Sequence, residues 1–198
     1  MSSIPTDAAQ VQAPIDLMAW CEANRAGFKP PVSNQYLYDG ADFFAMVIGG
    51  PNARNDFHVT DSEELFMQLK GDIVVIIREG DRLRKIAVRE GETFFIPGGV
   101  PHAPTRGPDT LGLVVERRRP AGEVEHQQFY CESCEALVHD QVFDCADIVE
   151  HFSAAMEAFW ADEAKSTCSQ CGTRVCKPTP VKRIEFEPEI KIIREGEE

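Results

Sequence analysis

Three side chains able to hold a divalent metal fall in two linked segments. His58 and Glu64 lie in His58-Val59-Thr60-Asp61-Ser62-Glu63-Glu64, and His102 ends Gly91-Glu92-Thr93-Phe94-Phe95-Ile96-Pro97-Gly98-Gly99-Val100-Pro101-His102. Two imidazoles and one carboxylate on one face of a metal leave the opposite face open. That suits Fe(II), whose vacant positions can take a substrate and O2 together. Taken singly, a histidine at a strand end is more often a satisfied polar residue, and a loop glutamate a solvated charge. Four cysteines form a second group, Cys131-x2-Cys134 and Cys168-x2-Cys171, with 33 residues between the pairs and Gly172 after the second. Four thiolates with no open position make a closed tetrahedral site of rubredoxin or zinc-ribbon type, structural rather than catalytic, for iron or zinc. A redox CxxC would want a thioredoxin-like βαβ context, which this chain lacks. Cys21, Cys145 and Cys176 remain as buried or free thiols, with Cys176 near enough to compete as a ligand.

Positioning these groups requires strands. Residues 35–130 are a succession of short β-forming runs: QYLYD, FFAMVIGG, ELFMQL, DIVVIIRE, LRKIAV, ETFFIP, LGLVVERR and EHQQFY. Turn signals such as Asp39-Gly40, Lys70-Gly71-Asp72, Glu79-Gly80-Asp81 and Pro97-Gly98-Gly99 separate them, which predicts a sandwich or barrel. A short helix is expected over residues 14–26, its apolar face at Ile15, Met18 and Ala19, stopped by Gly27. Ile148, Phe152, Ala155, Met156 and Phe159 recur at helical spacing and predict an amphipathic helix over 146–163. The tail from Pro178 reads as a peripheral strand or two. Two units follow: residues 1–130 as a barrel with an N-terminal helix, and 131–198 as a segment carrying the four cysteines and packed on it.

Of 198 residues, 43% are hydrophobic and 27% charged, and the net charge is −13. Such an acidic surface repels nucleic-acid phosphates and anionic membranes, so neither is an expected partner. The N-terminus has no basic stretch followed by an apolar run, so it does not read as a secretory signal. No stretch approaches a membrane span. Two CxxC pairs in a chain with seven cysteines favour metal over disulfides and a cytoplasmic location.

The two metal-ligand segments resemble the paired motifs of the cupin superfamily, G-x5-H-x-H-x3-E-x6-G and G-x5-P-x-G-x2-H-x3-N. The second fits at Gly91, Pro97, Gly99 and His102, and the first at His58, Glu64 and Gly71. Thr60 replaces the second histidine of the first motif, which reduces four ligands to three, and Gly50 stands further upstream than the motif has it. The resemblance implies an all-β-dominated fold, a double-stranded β-barrel of jelly-roll type.

A narrower likeness covers roughly residues 30 to 175. PNARNDFHVTDSEELFMQLKGD, IPGGVPHAPTR, LVVERRRP and FYCESCEALVH are similar to the 3-hydroxyanthranilate 3,4-dioxygenase family. The resemblance implies an Fe(II) enzyme that opens the ring of 3-hydroxyanthranilate with O2 to 2-amino-3-carboxymuconate semialdehyde, between tryptophan and quinolinate on the route to NAD. It carries His58, Glu64 and His102 over as iron ligands, Arg54, Arg106 and Glu116 as substrate contacts, Glu116 also as the catalytic base, and Asn34 as a weaker contact. Family members with the four-cysteine site imply a homodimer. The residue types agree: a planar carboxylate matches the guanidinium fork, and Glu116 on LVVE is placed to accept protons. The bland readings are surface salt bridges for the arginines and a Glu116–Arg106 pair when no substrate is bound. Rival functions are a cupin dioxygenase for another catechol-like or thiol substrate, which needs no anion clamp, and a non-catalytic small-molecule-binding cupin.

Overall fold

The computed structural model describes residues 4–5, 11, 13–143 and 147–197; Cys145 and the first residue of the expected helix at 146 lie outside them. The strands in chain order are β1 (Ile4–Pro5), β2 (Asn34–Asp39), β3 (Phe43–Gly49), β4 (Asp56–Val59), β5 (Glu64–Lys70), β6 (Ile73–Glu79) and β7 (Arg82–Val88). After them come β8 (Thr93–Ile96), β9 (His102–Arg106), β10 (Leu111–Arg117), β11 (Glu125–Tyr130), β12 (Leu137–Phe143), β13 (Val181–Glu185) and β14 (Lys191–Arg194). The helices are α1 (Leu17–Ala23), running into a 3-10 turn at Arg25–Gly27, α2 (Ile148–Ala161) and α3 (Glu163–Ser166).

Two six-stranded sheets build the barrel. One has the order β1-β2-β3-β10-β5-β8 and the other β12-β11-β4-β9-β6-β7, while β13 and β14 form a separate hairpin. The expected β-barrel is therefore present, and the tail strands are where the sequence put them. Between the sheets lies an apolar core of Phe66, Ile73, Val75, Ile77, Val88, Ile96 and Val114. At the other end Phe44, Met46 and Phe129 meet Ile148, Phe152, Met156 and Phe159 of α2, the face that helical spacing predicted. Asp147 caps α2 by accepting from the backbone N–H groups of Val149 and Glu150.

The N-terminal helix forms within the expected span, capped by Asp16; Ile15 just before it packs inward as expected, but the helix itself turns a face other than Met18 and Ala19 inward. Cys21 is buried on the outer side of the first sheet with Leu17 and Trp20 packed beside it, whereas Met18 is exposed. The helix is too short for periodicity to fix its rotation, and the apolar surface offered by Leu37, Val47 and Leu113 decides it. Strands β4, β9 and β12 were not among the expected runs. β4 and β9 are short and polar because their inward side chains serve the site instead of the core.

Candidate active site and metal centres

β4 and β9 are antiparallel neighbours in which His58 and His102 are direct partners, so their side chains leave the same face of the second sheet. Glu64, first residue of β5, enters from the opposing sheet. All three are buried, and their ligand atoms lie within 4.8 Å of one another. Glu64 Oε1 is 3.2 Å from His58 Nδ1 and 3.3 Å from His102 Nε2.

The outer ring nitrogens establish which way the lone pairs point. His102 Nδ1 is 2.9 Å from the Val100 carbonyl, which can only accept, so Nδ1 carries the hydrogen and Nε2 presents a lone pair to Glu64. His58 Nε2 donates to the Glu125 carboxylate, so Nδ1 faces inward bare. Glu64 Oε1 is accordingly a buried acceptor with no hydrogen-bond donor. Three acceptors converging in a dry interior need a cation between them, and both histidines already have the outer partners typical of metal-bound imidazoles. The donor set of two nitrogens and one carboxylate fits a facial metal site with open positions. A proton on His58 Nδ1 is the competing occupant: burial disfavours a charged His58, but in that state it would donate to Glu64 as well as Glu125, and these bonds and charges raise its pKa to about 10. Metal binding therefore displaces that proton.

The pocket around the triad is walled by Met46, Phe66, Val114, Ile148 and Phe152, and Asn34, Arg54, Arg106 and Glu116 also line it. The first sheet supplies Glu116 beside Glu64, since the two are register partners of β10 and β5. Arg106, at the end of β9, is 1% exposed. Its Nη1 donates to Gln68 Oε1 at 3.1 Å, while Nε and Nη2 have no partner among the described residues. Gly112 makes room for this side chain, because a Cβ there would stand 2.7 Å from Nη2. Burial, with the Arg54 charge adding to it, pushes the Arg106 pKa down to about 9. A guanidinium in that condition has high affinity for an anion.

Arg54 is already engaged. Its Nε and Nη2 hold both oxygens of buried Asp56 at 2.8 Å, and its guanidinium lies 4.9 Å from the Phe152 ring centre. The pocket's uncompensated positive charge is thus Arg106. Glu116 does not pair with Arg106; its partner is Arg119, whose Nη2 donates to Glu116 Oε2 at 2.6 Å. Burial and the nearby Glu64 carboxylate raise Glu116 to about 8, with Arg119 and His58 opposing. Sequence reasoning missed Glu125, Arg119, Asp56, Gln68 and Phe152. One signal was present: ELFMQL buries Glu64, Phe66 and Gln68 while Leu65 and Met67 face outward, an inverted alternation that marks a polar interior.

The four cysteines form the second cluster. Their sulfur atoms lie within 4.8 Å of one another, with Cys131–Cys171 at 3.5 Å and Cys134–Cys168 at 3.6 Å. A tetrahedral site with metal–sulfur bonds of about 2.3 Å has edges of about 3.8 Å, so the set fits with little movement. Both knuckles turn alike: Glu135 N–H donates to the Cys131 carbonyl and Gly172 N–H to the Cys168 carbonyl. Cys176 is exposed and outside the cluster.

The profile of the 3-hydroxyanthranilic acid dioxygenase family matches residues 10–160. A 3-hydroxyanthranilate 3,4-dioxygenase of Neurospora crassa is 40% identical over 162 residues, 82% of this chain and 89% of the relative. One from Meyerozyma guilliermondii is 41% identical over 160 residues, 81% of this chain and 94% of the relative. Among solved structures, a cupin-2 domain protein from Shewanella frigidimarina aligns with 49% of this chain and 91% of its own at 20% identity and a TM-score of 0.41. A profile match over most of the chain and relatives matched over nearly their whole length agree with the barrel and its buried histidine–glutamate site: this chain belongs to the 3-hydroxyanthranilic acid dioxygenase family.

Proposed function

We propose that the protein opens 3-hydroxyanthranilate with O2 to 2-amino-3-carboxymuconate semialdehyde, at an Fe(II) held by His58, Glu64 and His102. Iron bound there would supply adjacent open positions for the substrate's hydroxyl–amino edge and O2, together with the one-electron chemistry that O2 requires. The protein does the rest. Arg106 binds the substrate carboxylate through Nε and Nη2, with Arg54 adding positive field and Asn34 a polar contact. With a cation offsetting the Glu64 charge that helps to raise its pKa, Glu116 is ionised and accepts the hydroxyl proton, which makes the ring electron-rich. Phe152, Ile148 and Val114 pack on the ring and exclude water. The observation that carries this reading is the buried Arg106 guanidinium, with Nε and Nη2 unpartnered among the described residues, lining the same pocket as three converging metal ligands, a pairing that an aromatic carboxylate with an ortho chelating edge satisfies.

Cys131, Cys134, Cys168 and Cys171 hold a second metal, iron or zinc, in a structural role. Residues 131–198 serve as a segment packed on the barrel of 1–130, to whose second sheet they add β12 as the edge strand. No helix among the described residues is long and apolar enough to cross a membrane, and thiolates kept for metal suit the reducing cytoplasm. A homodimer is supported by the outer face of the first sheet, where Phe43 (56% exposed), Phe95 (52%), Leu65 and Met67 are open. The test is O2 uptake by Fe(II)-loaded protein with 3-hydroxyanthranilate, against catechol. Uptake specific to the former is expected, and equal rates would reject the carboxylate assignment.

A further inference from the structure

Arg119 has no part in the reaction as described, yet it is the most heavily engaged buried arginine near the site. It leaves the chain two residues beyond β10, and its side chain is only 7% exposed. Nη2 donates to Glu116 Oε2 at 2.6 Å, Nε donates to Glu125 Oε1, and Nη1 donates to the Arg117 carbonyl at 2.9 Å. Glu125 is 0% exposed, and its other oxygen, Oε2, accepts from His58 Nε2. An unbroken buried chain therefore runs Glu116–Arg119–Glu125–His58. It joins the carboxylate that faces the substrate pocket to the outer nitrogen of a metal ligand.

From this geometry we propose that Arg119 is a positioning residue that yokes Glu116 to His58 through Glu125, so that one guanidinium sets both the proton acceptor and the metal ligand. The inference rests on the proposed reaction for the Glu116 half and on the metal site alone for the His58 half. Two physical needs support it. Glu116 and Glu64 are register partners with buried carboxylates, and like charges in a dry interior drive one of them away unless a cation holds it. Arg119 supplies that cation on Oε2 and leaves Oε1 for a ligand. Glu125 must stay an anionic acceptor to keep the hydrogen on His58 Nε2 and the lone pair on Nδ1, and buried carboxylates are seldom ionised without a partner. Arginine suits this place because its rigid fork addresses two carboxylates and a carbonyl at once; a lysine ammonium is a single point.

The experiment compares Arg119→Met, Arg119→Lys, Glu125→Gln and Glu116→Gln. Metal affinity is read by chelator competition with Fe(II), and with Co(II), whose absorption spectrum also reports ligand geometry. Turnover of 3-hydroxyanthranilate is read at saturating metal, and Tm throughout. Glu125→Gln is expected to lose roughly ten- to a hundredfold in metal affinity. Glu116→Gln is expected to lose kcat and keep metal affinity. Arg119→Met should show both losses with KM little altered, since the carboxylate contacts remain, and its affinity loss should not add to that of Glu125→Gln in the double variant. Arg119→Lys, which keeps the charge but not the fork, should fold and recover only part of either loss. Should Arg119→Met fail to fold, the same two readouts on Arg119→Lys decide. Wild-type metal affinity and an unchanged Co(II) spectrum in a folded Arg119 variant would overturn the yoke. Absence of wild-type turnover would instead strike at the proposed reaction, and the metal-affinity arm would stand on its own.

Discussion

Replacing Arg106 with methionine tests the substrate reading against its rivals. Methionine fills much of the volume and removes the charge. The wild-type side chain holds Nε and Nη2 buried without partners among the described residues, so a carboxylate can take both. A hydrogen bond to a charged group contributes about 1.5–3 kcal/mol. The pair is then worth about 3–6 kcal/mol, or roughly a hundred- to ten-thousandfold in kcat/KM. Stability should move the other way or hardly at all. The substitution strands Gln68 Oε1, which loses its Nη1 donor at about 1–3 kcal/mol. It also removes a buried charge that has no counter-ion, and that relief offsets the loss. The assay is O2 consumption with 3-hydroxyanthranilate and with 2-aminophenol, which lacks the carboxylate. The expected result is a large loss for the first, a small one for the second and a Tm near wild type. Equal losses for both substrates would make Arg106 structural and refute the clamp.

Glu64→Ala should yield folded protein with little metal at the barrel site and no turnover, checked by metal analysis and circular dichroism; normal turnover would reject the triad. Cys131→Ser or Cys168→Ser should lose one of the two metal equivalents and lower Tm, because closed thiolate sites contribute folding energy; unchanged metal content and Tm would mean the cysteines form no site. Glu116 gives a pH signature in metal-free protein. Its folded pKa of about 8 lies above its ordinary 4.5, so between those values the folded state binds more protons than the unfolded and stability falls as pH rises. Thermal melts should show that slope, Glu116→Gln should flatten it, and an unchanged slope in that variant would assign it elsewhere.

Much of this was legible in the sequence because the ligands sit at turns whose chemistry is restrictive. Gly99 takes φ 78°, which a side chain disfavours, so the glycine that precedes His102 marks the bend. Gly172 at φ 76° marks the second cysteine knuckle in the same way, whereas Glu135 takes φ 59° in the first, which was readable from its CxxC spacing alone. What could not be read is the layer behind the ligands. Arg119 sits in a run of three arginines that looks like a solvated surface, and only the return of the chain along β11 brings Glu125 against it. Glu125 is one of 33 acidic residues, and nothing local separates it from the rest. The β4 and β9 strands were readable only as the flanks of the ligand turns and not as β-forming runs, because pattern reading looks for apolar alternation, whereas β9 buries all five of its residues, His102 and Arg106 among them. Met18 was misassigned because a helix of 7 residues has two comparable faces.

The placement of α2 explains why a closed thiolate site accompanies an open catalytic one. α2 lies wholly between Cys134 and Cys168, and from it Ile148 and Phe152 reach into the pocket. Phe152 packs edge-on against the His58 ring at 4.9 Å between centres, and its carbonyl accepts from Gln127 Nε2. Gln127 is itself the register partner of His58 across β11 and β4. The helix is thus aligned to the strand that carries a metal ligand, and its position shapes the pocket wall. Packing of Phe159 on Phe129 and the β11–β12 ladder hold the 33-residue excursion along its first half, and closing its far end onto β11 carries a loop-entropy cost that grows only slowly with length. Four thiolates on one ion, as proposed for this cluster, would close that excursion at its base. Cys131 follows β11 directly, so the closure refers the helix back to the same strand that positions His58.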